Sequence, residues 1–284
     1  PESLRATSDL ELAANHGDTI VVAVPTKAIR EVCGNLNEFL QSDKLFVHVS
    51  KGIEPDSLLR ISELIAHTIH KHLVRDLVVL SGPSHAEEVV LQHPTTVTAA
   101  CDNITAAEKV QDLFMNGYFR VYTNDDVIGV EIGGALKNII AFCAGIITGL
   151  ELGDNSFAAL LTRGLSEMAK LTVKMGGDAS TIYGLTGLGD LIVTCMSNHS
   201  RNRRAGYLMG QGKTYKEAMD EVKMVVEGVY SAKAALLLSK KYNIEMPIVE
   251  TINKVLFEDL SAKEAMIALL TRMRTSESAD LSWE

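Results

Sequence analysis

The sequence predicts two parts, an α/β half built on a doubly wound parallel sheet and then an all-α half. Two patterns and a size argument carry this. Strand-like apolar runs alternate with helical stretches as far as residue 123, the grammar of a doubly wound sheet. Beyond Asp126 the strand pattern stops, and helical periodicity continues between glycine-rich turns at Gly176-Gly177 and residues 184–189. At 284 residues, 46% hydrophobic and 22% charged, the chain is long enough for two domains with substantial cores. A boundary is expected near Asp126, giving domains 1–126 and 127–284.

Residues 10–15 read as a short helix. Thr19-Ile20-Val21-Val22-Ala23-Val24 is a continuous apolar run ended by Pro25. A strand without polar alternation is typical of a parallel sheet covered on both faces. A helix is expected over 27–40, a strand over 45–49, a helix over 57–72 and a strand over 77–80. After another helix come a strand over 95–100, a helix over 105–115 and a strand over 119–123. Ligands of such sheets sit at the carboxyl ends of strands. Those ends carry Pro25-Thr26, Ser50-Lys51-Gly52 and Ser81-Gly82-Pro83-Ser84-His85-Ala86, residues that also serve ordinary turns.

A net charge of −9 argues against a general nucleic-acid or anionic-membrane binder. No apolar run is expected to reach transmembrane length, and no signal-peptide pattern is seen. Cys33, Cys101, Cys143 and Cys195 lie far apart without a CxxC pair, as reduced thiols of a cytoplasmic protein do. His67, His70 and His72 read as a solvated helix face, and no metal site is expected.

The second half opens with Glu131-Ile132-Gly133-Gly134-Ala135-Leu136-Lys137-Asn138-Ile139-Ile140-Ala141. A lysine in so apolar a helix either snorkels to water or sits in a dry pocket. A dry pocket lowers its pKa towards neutrality, as an acid–base lysine requires. Gly187-Leu188-Gly189-Asp190-Leu191 places an acid directly after a glycine turn, either as a helix cap or as a functional carboxylate. Ser200-Arg201-Asn202-Arg203-Arg204 opens a helix whose free N–H groups favour an anion. Arg201 could clamp two anion oxygens, and Asn202 could add a bond.

Residues 134–141, continued by Gly145, Gly149 and Gly153-Asp154-Asn155, resemble the signature of NAD(P)-dependent glycerol-3-phosphate dehydrogenases, most closely the bacterial form. So do Ser50-Lys51-Gly52, Ser81-Gly82-Pro83-Ser84, Gly187–Leu191, Ser200–Arg204 and Val225-Val226-Glu227-Gly228. The resemblance implies a dinucleotide-binding, Rossmann-like first domain and a helical substrate domain. It implies interconversion of sn-glycerol 3-phosphate and dihydroxyacetone phosphate with NAD or NADP, supplying phospholipid synthesis. Lys137 would move the proton of the C2 oxygen, with Asp190 and Lys51 beside it. Lys51, Gly82, Ser84, Asn138, Asp190 and Thr194 would contact substrate, and Ser200, Arg201 and Asn202 would hold its phosphate. Lys51, Ala86, Arg201, Val225 and Glu227 would touch the cofactor. A cytoplasmic homodimer is expected.

The family opens with a strand and a G-x-G-x-x-[GA] turn, and no such motif occurs before Thr19. The sheet is therefore expected to be incomplete, and dinucleotide binding by this chain to be weak. Two other functions stay open. One is a hydroxyacid dehydrogenase of the same two-part class, which would not need Ser200-Arg201-Asn202. The other is a non-catalytic binding protein.

Overall fold

A computed structural model describes residues 3–273 and 276–277. Five strands, β1 (Thr19–Val22), β2 (Lys44–His48), β3 (Val74–Ser81), β4 (Thr95–Ala100) and β5 (Phe119–Asn124), form one sheet in sequence order. Between them lie α1 (Leu10–His16) before the sheet, α2 (Ile29–Phe39), α3 (Ile61–Thr68), α4 (Ala86–Val90) and α5 (Ile104–Phe114). All of β2 is buried. Phe46 faces Ile29, Cys33, Leu36, Ile61 and Leu64, whereas Leu45 and Val47 face Ala106, Ala107 and Val110 of α5. Apolar side chains alternate between two covered faces, so the run has no polar period.

The sheet departs from a wholly parallel one at a single junction. β3 and β4 pair antiparallel, while β1–β2, β2–β3 and β4–β5 are parallel. The connection between them contains only the five-residue α4, too little for a helical crossover. Among the described residues β1 pairs with β2 alone, and its Val21 is 45% exposed. The expected helix over 57–72 shrinks to α3, because Ile53 and Arg60 first form an antiparallel bridge. His67 ends up on α3, whereas His70 and His72 lie beyond it with their rings stacked at 5.8 Å, so the three do not share one helix face.

After β5 the described residues contain helices and no strand. They are α6 (Val127–Gly149), α7 (Gly153–Lys174), α8 (Ala179–Ile182), α9 (Asp190–Met196), α10 (Arg201–Gly210), α11 (Tyr215–Val222), α12 (Glu227–Tyr242), α13 (Pro247–Phe257) and α14 (Ala262–Leu270). The Asp126 side chain caps α6 by accepting from the Gly129 amide at 2.8 Å. Every residue from 129 to 147 is buried, so α6 is the axis around which the other helices pack. Its 23 residues, with mean hydropathy 1.6, are long and apolar enough to cross a membrane, contrary to the sequence expectation. A second stretch, Ala179–Met196, passes the same test at 1.2, though a π-helical turn at Leu185–Gly189 interrupts it. In α6, 94% of the apolar window is instead buried inside the protein.

α10 lies almost backbone to backbone on α6. A Cβ at Gly206 would stand 1.9 Å from the Phe142 carbonyl oxygen, and one at Gly145 would stand 2.0 Å from that of Arg203. Backbone on both sides cannot yield. Gly206→Ala is therefore expected to destabilise the fold by about 1–3 kcal/mol, the usual cost of overpacking. Thermal unfolding checks this, and an unchanged Tm would refute the contact.

Candidate active site

α6, α9 and the loop after β2 bring three charged side chains together. Lys137 lies midway along α6 with 6% exposure, and its Nζ donates to Asp190 Oδ1 at 2.5 Å and to Thr194 Oγ1 at 2.8 Å. The second Asp190 oxygen, Oδ2, accepts from Lys51 Nζ at 2.6 Å, and Lys51 also donates to the Gly82 carbonyl at 2.9 Å. Thr194, one turn after Asp190 on α9, donates its hydroxyl to the Asp190 carbonyl at 2.6 Å. One carboxylate thus bridges two ammonium groups, and a hydroxyl fixes the direction of the more buried one.

Burial pushes the Lys137 ammonium down to about 8; Asp190 opposes that fall and the positive charge of Lys51 adds to it. Burial alone would raise Asp190, but Lys137 and Lys51 outweigh it and hold the carboxyl below its usual range. The lysine therefore exchanges its proton near neutrality while the aspartate stays charged. This is the division of roles that acid–base chemistry needs.

The helix start expected to hold an anion lies against the same helix. Ser200 caps α10, its Oγ accepting from the Arg203 amide at 3.2 Å. Arg201 is exposed and Asn202 is buried. Asn202 Nδ2 donates to Asn138 Oδ1 at 2.9 Å, and its Oδ1 accepts from the Gly228 amide at 2.8 Å. Its carboxamide ties α6, α10 and α12 together, and its second N–H has no partner among the described residues.

The end of β3 supplies the facing wall. Gly82 has φ +145°, and a Cβ there would meet Val97 Cα at 2.9 Å. The strand thus turns on a residue that must be glycine. Its carbonyl also accepts from Ser84 Oγ at 3.1 Å. Ala86, at the start of α4, is exposed, and Val225 is half-buried. Glu227 opens α12 beside the end of β1. Burial raises its carboxyl, while nearby Thr26, Arg201 and Lys27 pull it back.

Two sequence profiles match the chain. That of the NAD-dependent glycerol-3-phosphate dehydrogenase C-terminus covers residues 126–267, and that of the N-terminus covers residues 1–107. The chain belongs to this family. It is 64% identical to the glycerol-3-phosphate dehydrogenase [NAD(P)+] of Lysinibacillus sphaericus, over 98% of the chain and 82% of that protein. Identity to the enzyme of that name in Bacillus subtilis is 58%, over 98% and 81%. The crystal structure of the Coxiella burnetii glycerol-3-phosphate dehydrogenase superposes with a TM-score of 0.90 at 38% identity, over 96% of this chain and 82% of that one.

In this member of the glycerol-3-phosphate dehydrogenase family, Lys51, Gly82, Lys137, Asp190 and Thr194 are joined by direct hydrogen bonds. Asn138 and Asn202 bond to each other, and Ser84 bonds to Gly82. The positive charge of Arg201 pulls down the Glu227 carboxyl near Thr26. Among the described residues no side-chain hydrogen bond joins Ala86, which is exposed, or Val225, which is half-buried, to this group. Sequence reasoning passed over Glu131, which is 5% exposed and bonded to Arg60 and Ser62. An acid inside the same apolar run as Lys137 was the available signal.

Proposed function

We propose that this chain interconverts sn-glycerol 3-phosphate and dihydroxyacetone phosphate with NAD or NADP. One observation carries the reading: a buried amine titrating near 8 shares a carboxylate with a second lysine beside a Ser-capped helix start. Ser81 Oγ and His85 Nε2, at the end of β3, are buried with no hydrogen-bond partner among the described residues. Such groups cost about 1–3 kcal/mol each unless something satisfies them, so a polar ligand such as the nicotinamide end of a dinucleotide fits there. Lys51, Ala86, Arg201, Val225 and Glu227 would hold it, and when bound it supplies or accepts the hydride at C2.

The protein's own residues handle the proton. In oxidation, neutral Lys137 takes the proton of the C2 hydroxyl, and Asp190 stabilises the ammonium formed. In reduction, the ammonium returns that proton to the C2 oxygen as the hydride arrives. Thr194 keeps Nζ aimed, and Lys51 adds positive charge where negative charge develops on oxygen. Gly82, Ser84 and Asn138 line the substrate. Ser200, the first amides of α10, Arg201 and the remaining Asn202 N–H would hold the phosphate.

Arg201→Ala is the direct test. kcat/KM for dihydroxyacetone phosphate should fall by about 2–3 kcal/mol, the loss of a charged hydrogen bond. Dihydroxyacetone, which lacks the phosphate, should be poor with both proteins and indifferent to the change. Equal losses on both substrates would move Arg201 to the cofactor or the fold. The hydroxyacid alternative needs no phosphate clamp and fails if this difference appears.

Within the same reading the domains divide as 1–126 and 127–284, and the working form is a cytoplasmic homodimer whose product serves phospholipid synthesis. The family resemblance supports these points. Sedimentation equilibrium tests the dimer.

A further inference from the structure

The buried carboxylate of Glu131 has no place in the proton transfer described above. Its Oε1 accepts from the Ser62 amide at 2.7 Å, and its Oε2 accepts from Ser62 Oγ at 2.6 Å and Arg60 Nη1 at 2.5 Å. His48 Nε2 lies 3.2 Å from Oε1, and Arg60 also reaches Glu63 at 3.1 Å. These are the titratable groups that face it, from β2 and from the start of α3.

Its partners stand at the two ends of one loop. His48 ends β2, three residues before Lys51, and Arg60 precedes α3, nine residues after it. The bridge between Ile53 and Arg60 closes the loop, with Glu54 N donating to Leu59 O at 3.0 Å. Gly134, one turn after Glu131 on α6, lies under the stem of Lys51. A Cβ there would stand 3.4 Å from Lys51 Cγ. α6 therefore holds the loop by hydrogen bonds at its Arg60–Ser62 end, meets His48 at the other, and supports the lysine between them.

We propose that Glu131 is a positioning residue for the reaction: by fastening the Arg60–Ser62 end of this loop to α6, with His48 packed against the same carboxylate at the other end, it holds Lys51 against Asp190, and through Lys51 it sets the charge around Lys137. The inference rests on Lys137 being the acid–base group. Lys137 is surrounded by Asp190, Lys51, Cys195 and His85. Of these, Lys51 sits on the loop that Glu131 holds.

Glu131→Gln keeps the side-chain volume and removes the charge. With Lys51 released, a like charge leaves Lys137 and Asp190 loses a competing partner. Both changes favour the ammonium. The inflection in the pH profile of oxidation should move to higher pH, on the order of half a unit or more. Lys51→Met alone should shift it the same way, and adding Glu131→Gln to Lys51→Met should shift it no further, since both act through one contact. A lower Tm with an unmoved inflection would overturn the proposal, as would the full extra shift in the Lys51→Met background. Should Glu131→Gln not fold, Ser62→Ala removes one bond of the clamp and should give a smaller shift in the same direction; no shift overturns it. Lys137→Ala separates the two failures. An inflection that survives there sinks the acid–base reading and the proposal with it. A flat Lys137→Ala profile with an unmoved Glu131→Gln inflection sinks the proposal alone.

Discussion

Lys137→Ala is expected to cut turnover at least about a hundredfold, the lower range for losing a general acid–base group. The pH dependence gives the sharper result. Lys137 titrates at about 8, lowered first by burial. Below that pH it is an ammonium and can give a proton, so reduction of dihydroxyacetone phosphate should hold its kcat/KM there and lose it as pH rises. Above it the amine is neutral and can accept, so oxidation of glycerol 3-phosphate should gain through the same pH. Replacing Lys137 should flatten both limbs. Near-normal turnover in a folded variant would assign the proton to another group.

Asp190→Asn should cost both stability and activity. The carboxylate is 2% exposed and carries both ammonium groups, one on each oxygen. Removing one partner of a buried ion pair typically costs about 3–5 kcal/mol, because the charges left behind are uncompensated. The variant's stability should rise with pH. Lys137 would be held below its unfolded value, so the unfolded chain binds more protons until that lysine is neutral. Lys137, without the charge that supports its ammonium, should titrate below its present value of about 8. Reduction should therefore fade at a lower pH than in the parent protein. Calorimetry across pH and paired rate profiles check this; a stable variant with an unmoved inflection would show that Asp190 does not govern Lys137.

Much of this was legible along the chain. The apolar run before Pro25 became β1, although the ladder stops at Val22 opposite His48. The strand over 77–80 was recognised at its apolar centre, and β3 extends to Val74 and Ser81 around it. The helix expected over 57–72 was overlong, because helical periodicity cannot see that Ile53 and Arg60 pair first. The lysine of α6, the acid after the glycine turn and the serine cap of α10 stood out by composition, since each breaks its local pattern.

What the sequence determined by itself is local: which runs are strands, which are helices, where the strand pattern stops, and which polar residues stand in apolar surroundings. Those features depend on side-chain period and turn chemistry within a few residues. Tertiary structure decided the rest. Lys51 meets Asp190 across 139 positions, and Asn202 meets Asn138 across 64. β4 runs antiparallel to β3, and Glu131 grips a loop 69 to 71 residues earlier in the chain. Lys137 titrates near 8 because helices close around it and exclude water, and because two other chain segments bring opposing charges to it. Neither desolvation nor a long-range charge pair has a period along the sequence, so only the packed fold reveals them.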